Sequence, residues 1–218
     1  MDYSKPTLFV ISGPNGAGKS TQIQVMLPDD LKHINSFDRD KTRLEFGAIL
    51  AGQGVSSKDI TLRSTRMMED RLYQEMKKAI GLKSHFVLET PLSHPDYWRY
   101  LDLFENMGYQ MQLNYLCLDK VRYCVSRVDQ RVKEGGHCVE PGTIKGVYQK
   151  NLEYINEYYK TFNIIELYDG MAIPTLLARM EHDQIVYADT LALKKEWIKK
   201  GLPHIAKKLF NYFGDQKD

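Results

Sequence analysis

One junction constrains this chain more than any other feature. The apolar run Thr7-Leu8-Phe9-Val10-Ile11-Ser12 leads directly into Gly13-Pro14-Asn15-Gly16-Ala17-Gly18-Lys19-Ser20. The run is rich in β-branched and aromatic residues and reads as a buried strand. The octad matches G-x-x-x-x-G-K-[ST] in full. At average residue frequencies, a chain of this length matches by chance roughly once in a hundred sequences. The strand pattern before it and the helix pattern after it, beginning near Lys19, lower that chance further. The chemistry needs these residue types. Glycines let the backbone turn tightly and approach phosphate oxygens with no Cβ in the way. Successive N–H groups and a helix N-terminus then face the anion. Lys19 reaches the outer phosphates and Ser20 offers its hydroxyl to Mg²⁺. The expected nucleotide contacts are Gly13, Asn15, Gly16, Ala17, Gly18, Lys19, Ser20 and Thr21, with Ser20 the metal ligand.

Downstream, strand and helix patterns alternate. His33 to Phe37 is a weak strand candidate ending at Asp38, and His85 to Glu89 is a stronger one. Between them residues 58–80 read as a helix, with Met68, Leu72, Met76 and Ile80 on one face. A helix over 96–107, stopped by Gly108, precedes a strand from Tyr109 to Leu118. Val121, Cys124, Val125, Val128 and Val132 mark a further helix ended by Gly135-Gly136, and the next begins at Pro141. Phe162 to Tyr168 reads as a strand, Gln184 to Ala188 as another, and about 190–213 as a basic helix. This order predicts an α/β fold of the P-loop NTPase kind: a parallel β-sheet with helices on both faces, kinase-like, with a basic lid segment. The chain reads as one domain over 1–218, with a core of about 5–170, a lid at about 122–150 and a C-terminal extension at about 171–218.

Composition narrows the class. Lys and Arg total 30 against 28 Asp and Glu, a net charge of +2. That balance disfavours a nucleic-acid or membrane-surface protein. Three cysteines without C-x-x-C spacing argue against a disulfide framework or a zinc ribbon. No apolar stretch has the length of a signal peptide core or a membrane span. The expected location is cytoplasmic, with no membrane partner.

Phosphoryl transfer to a hydroxyl needs an acid near the acceptor and positive charge near the transferring group. Asp38 and Asp40 follow the second strand and Glu89 ends the third. In a parallel sheet these ends face the same crevice as the loop. Either aspartate qualifies as the base. Glu89 qualifies as an acid holding a metal-bound water or as a grip on the acceptor. Arg127 and Arg131 lie four apart and share a helix face, with Lys133 and Lys145 beyond the glycine break. The basic tail, Lys194 to Lys208, is a candidate interaction surface. The loop also resembles that of ABC-transporter ATPases, but no Leu-Ser-Gly-Gly-Gln signature follows it.

Four blocks taken together resemble the zeta-toxin-like P-loop kinases. They are Gly13 to Thr21, Asn35 to Asp40, Phe86-Val87-Leu88-Glu89-Thr90-Pro91-Leu92-Ser93, and Arg127 to His137; Leu167-Tyr168-Asp169 adds a fifth piece. The third block is similar to the family's F-x-x-E-T-T-L-S and the fourth to its R-V-x-x-G-G-H-x-V-P. The resemblance implies ATP with Mg²⁺ as donor. It implies a small-molecule hydroxyl as acceptor, such as the nucleotide sugar UDP-N-acetylglucosamine, and allows an antitoxin partner, which the sequence itself does not show. It makes Lys19 the phosphate lysine. The base is Asp38 or Asp40, with Asp38 the better alignment by eye. Glu89 and Thr90 face the acceptor, while Arg127, Arg131 and Lys145 clamp phosphates. Departures are Pro91 for the second threonine, Val139-Glu140-Pro141 for V-P, and Lys145 for an arginine. Two other functions fit the loop: a nucleotide-binding regulatory protein with little turnover, and a polynucleotide 5′-hydroxyl kinase.

Overall fold

The computed structural model describes residues 2–215. Its frame is a seven-stranded sheet of order β2-β3-β1-β4-β5-β6-β7. The strands are β1 (Thr7–Ser12), β2 (Phe37–Asp38), β3 (Phe86–Glu89), β4 (Gln110–Cys117), β5 (Ile164–Asp169), β6 (Thr175–Glu181) and β7 (Gln184–Ala188). The first five pair in parallel, so the sheet is mostly parallel, as the alternating pattern predicts. The last two are antiparallel, a departure from the fully parallel expectation. Short loops connect them, too short for the crossover that parallel pairing requires. The β6 strand was not legible in the sequence, because its burial does not alternate cleanly.

Helices cover both faces: α1 (Lys19–Met26), α2 (Arg39–Gly52), α3 (Ser57–Leu82), α4 (Pro95–Asn106), α5 (Val121–Lys133), α6 (Pro141–Tyr158), α7 (Glu196–Gly201) and α8 (Pro203–Gly214). The larger core lies on one face, where Leu72 and Met76 of α3, Leu101 and Phe104 of α4, Ile155 of α6, and Trp197 and Leu209 of the tail pack on Leu8, Val10, Leu113 and Tyr115. The Met68, Leu72, Met76 side of the predicted stripe is buried, as core. The other face is thinner, with Met26, Leu27 and Leu31 on Phe9, Ile11, Val87 and Leu116. The α2 helix was not expected. It buries only Arg39 and Leu50 and rests on α3, so its apolar periodicity is faint.

The predicted single helix over 190–213 is a correction. It is a 3-10 turn at Thr190–Lys194 followed by α7 and α8. Pro203 opens α8 because its ring is tolerated only in a first turn. Four of the tail's lysines are engaged in ion pairs rather than forming a free basic surface. Lys195 pairs with Asp119 and Asp169, Lys199 and Lys200 with Glu196, and Lys208 with Asp183.

Candidate active site

The glycine-rich loop joins the C-terminal end of β1 to α1. Gly16 and Gly18 take φ of 79° and 97°, a region costly for any side chain. A Cβ on Gly16 would also collide with the Cys124 carbonyl, so the loop lies tight against α5. Lys19 curls back over the loop, its Nζ donating to the Gly13 carbonyl at 2.8 Å and to the Pro14 carbonyl at 3.2 Å. The loop floors a cleft of about 820 Å³ that also receives Asp38, Asp40, Glu89, Arg127 and Arg131. Leu116, Gly170 and Ala172 form further wall. Asn15, Gly16, Ala17, Gly18, Ser20 and Thr21 line it as well, whereas Gly13 is buried beneath it.

The acids converge through the sheet. Asp38 and Glu89 are register partners at the ends of β2 and β3, beside β1 and its loop. Ser20 Oγ donates to Glu89 Oε1 at 2.7 Å and stands 3.3 Å from Asp38 Oδ2. Asp38 also caps α2, its Oδ1 accepting from the Lys41 N–H at 3.0 Å, so the capping and site roles coexist in one side chain. Burial pushes the Glu89 carboxyl above the ordinary carboxylate range. Lys19 pulls it back and neighbouring Asp38 adds to the rise. Two carboxylates at one hydroxyl, one of them buried, form a site suited to a divalent cation. Among the described residues no group of three His, Cys, Asp or Glu side chains forms an all-protein metal cage. The donor set present, a serine hydroxyl with one or two carboxylates, is the kind that suits Mg²⁺, whose shell is commonly completed by substrate phosphates.

Asp40 differs from Asp38. It is exposed in the first turn of α2 and borders both the loop cleft and a second cavity of about 390 Å³. That cavity is lined by Arg39, Arg43, Glu69, His94 and Tyr97, among others. Sequence reasoning missed Arg39. Its guanidinium is buried, pairs with Glu69 at 2.5 Å and stacks on Tyr97 at 4.4 Å, with one Nη lacking a partner. No local signal marks an arginine for burial; the aromatic and acidic partners come from α4 and α3.

The remaining expectations divide. Arg127 donates to the Ala17 carbonyl at 3.3 Å and to the Met171 carbonyl at 2.8 Å, which ties the lid to the loop. Arg131 reaches the His137 carbonyl at 3.1 Å, bracing the glycine break. Arg122 points elsewhere, to the Tyr123 hydroxyl. Thr90 is buried beside Glu89, its N–H donating to the Ile11 carbonyl, and it lines neither cavity. Lys145 is a correction: it does not reach the loop cleft but faces a separate groove against α7. Its neighbour Ile144 packs against Cys124 and Val128, and one residue turns about 100° around a helix, so Lys145 faces away. Behind the cleft, Lys195 holds Asp119 at 2.8 Å and Asp169 at 2.6 Å, and Asp169 accepts from the Met171 N–H. Only the Leu-Tyr-Asp piece hinted at this clasp.

Residues 1–172 match the family model described as Zeta toxin. A chain from the PezAT chromosomal toxin–antitoxin system of Streptococcus pneumoniae is similar in structure. Its TM-score is 0.64 at 18% identity, over 94% of this chain and 87% of that one. A chain of the AvrRxo1-ORF1:ORF2 complex with ATP superposes at a TM-score of 0.68 and 16% identity. The match takes in 88% of this chain but only 63% of that one, so this chain spans less than two thirds of that structure's length. An uncharacterized protein of Haemophilus influenzae is 27% identical over 143 residues, 62% of this chain and 88% of the relative.

Proposed function

Since the chain belongs to the zeta toxin family over residues 1–172, we propose that it is an ATP-dependent phosphotransferase that moves the γ-phosphate onto a hydroxyl of a small molecule. The observation that carries this reading is the position of Asp40 between two cavities, one floored by the phosphate loop and one lined by Arg39 and Arg43. A donor in the first and an acceptor in the second place the acceptor hydroxyl beside Asp40.

Each residue then has a task. Backbone N–H groups of the loop hold the β-phosphate region, and Lys19 swings from its carbonyl partners to the outer phosphates. Ser20, Asp38 and Glu89 would hold a Mg²⁺ ion, which would supply positive charge to offset the negative charge on the phosphate oxygens. Asp40 takes the proton from the acceptor hydroxyl as its oxygen attacks the γ-phosphorus and ADP leaves. Arg127 and Arg131 steady the developing negative charge from the lid. The alignment-based preference for Asp38 as base gives way here, because Asp38 is occupied with Ser20 and the α2 cap. Glu89 is read on the metal side rather than the acceptor side, and Thr90 as support beneath it.

A nucleotide sugar such as UDP-N-acetylglucosamine is the first acceptor to try, and the two arginines of the second cavity suit its phosphates. The proposed setting is the cytoplasm, where ATP is available; no helix among the described residues is long and apolar enough to cross a membrane. A protein antitoxin is the proposed partner, on family grounds.

The test is ³¹P NMR of the protein with ATP, Mg²⁺ and a panel of nucleotide sugars, nucleosides and oligonucleotides. A new phosphomonoester signal with one acceptor class, absent from Lys19→Ala, is expected. Asp40→Asn should retain ATP binding and lose about 10²–10⁴-fold in kcat, the range of general-base catalysis. Full turnover in Lys19→Ala, or an unchanged rate in Asp40→Asn, overturns the mechanism. ADP and inorganic phosphate alone across the panel would favour the regulatory reading.

A further inference from the structure

The groove that receives Lys145 belongs to no step above. It lies between α6 and the tail helices α7 and α8, holds about 600 Å³, and shares no lining residue with either cavity of the candidate active site. Ligand sites commonly fall in this size range, with mostly apolar walls and a few placed polar groups. Here Val121, Tyr148 and Leu152 face Trp197 and Pro203. The Tyr148 hydroxyl is already committed to the Leu118 carbonyl at 2.9 Å, so the residue offers its ring.

The charges are unequal in what they leave free. Each acid on the lining has a lysine: Asp119 has Lys195, Glu153 has Lys150 at 2.9 Å, and Glu196 has Lys200 at 2.8 Å. Lys120 and Lys145 also line it, are exposed, and enter no ion pair among the described residues. The groove therefore combines apolar walls with two uncommitted ammonium groups. We infer that it is a second ligand site, for a small molecule with an aromatic or branched apolar body and an anionic group such as a carboxylate, sulfonate or phosphate. One wall comes from residues 196–203, outside the residues 1–172 that match the family model.

The chain has two tryptophans, which makes the site observable. The Trp98 indole donates to the Leu92 carbonyl, whereas the buried Trp197 indole N–H has no partner. The probe is 8-anilinonaphthalene-1-sulfonate, titrated into ¹⁵N-labelled protein saturated with a non-hydrolysable ATP analogue, with the indole cross-peaks assigned by Trp197→Phe. A saturable shift of the Trp197 cross-peak is expected, with Trp98 unmoved. The uncharged N-phenyl-1-naphthylamine should bind at least tenfold more weakly. The Lys120→Gln/Lys145→Gln double variant, altered only at exposed positions, should lose tenfold or more in affinity for the sulfonate. Three results overturn the proposal: no saturable Trp197 shift, equal binding of the uncharged analogue, or unchanged affinity in the double variant.

Discussion

Two buried glutamates sit in this sheet and are treated in opposite ways. Glu166 in β5 is 7% exposed and surrounded by donors: Arg179 Nη1 at 2.8 Å, Asn114 Nδ2 at 3.0 Å and the Tyr168 hydroxyl at 2.7 Å. Glu89 at the end of β3 is 5% exposed and receives one hydrogen bond, from Ser20, with Asp38 close by. Burying a carboxylate is tolerable when charge and hydrogen bonds compensate it, as at Glu166. At Glu89 the compensation is incomplete, and burial leaves the carboxyl harder to ionise. The first arrangement fixes β4, β5 and β6 to one another. The second leaves an under-compensated carboxyl beside the phosphate loop, where the proposed cation site would use it.

That contrast can be broken from either side. The largest effect is expected from Glu89→Gln. The amide can still accept from Ser20, so the melting temperature should hold or rise, while kcat with ATP and Mg²⁺ falls about 10²–10³-fold, the scale of losing one preorganised electrostatic group. A large drop in melting temperature with kcat retained would make Glu89 a structural carboxylate like Glu166. Next comes Arg179→Ala, which leaves Glu166 buried with one partner gone. Breaking a buried pair costs about 3–5 kcal/mol, and Arg179 is partly exposed, so urea unfolding should register nearer the lower end, with kcat little changed. Third, Asp38→Asn keeps a good α2 cap and should leave stability unchanged while raising the Mg²⁺ concentration for half-maximal rate about tenfold, a factor worth roughly 1.4 kcal/mol. An unchanged Mg²⁺ requirement would confine Asp38 to capping.

The smallest effect serves as the exposed counterpart. Hydrogen bonds from Lys199 and Lys200 hold the Glu196 carboxyl down at about 2. A depressed carboxylate contributes stability above its unfolded value near 4.5 and loses it as pH falls toward 2. Glu196→Gln should therefore lower the melting temperature slightly at pH 7, with the difference vanishing by about pH 2. Because Glu196 is exposed, solvent screens the pair and the change should be small. A large change would mean that the α7 pairs carry more of the tail's docking than exposed ion pairs do.

Much of the frame was legible in the sequence because its signals are local. Leu8 to Ile11 read as a strand since a parallel strand buried on both faces is apolar throughout. The Leu72–Met76 stripe read as core since helical period places those residues on one face. The places that failed lack such a signal. The α2 helix rests on another helix with half its surface in water, and β6 mixes buried and exposed residues without alternation. In the site, the loop residues and the three acids were identifiable individually, but their roles were not. Arg39 reads as one more surface charge until Glu69 and Tyr97 enclose it.

The sequence by itself determined the phosphate loop, most of the alternation of strands and helices apart from α2, β6 and the divided tail, and which acids end the strands near that loop. These follow from backbone freedom at glycine and from the periods of strand and helix, both set within a few residues. Only the tertiary structure decided that Asp38 and Glu89 meet at Ser20 while Asp40 borders two cavities, that Lys145 faces away from the nucleotide cleft, and that Lys195, Lys199, Lys200 and Lys208 of the tail are engaged in ion pairs. The reason is that β2, β3 and β1 are neighbours in the sheet although a long helical stretch separates β2 from β3 in the chain. Which side chains meet across such a separation is fixed by strand order and helix rotation, which no local stretch of residues encodes.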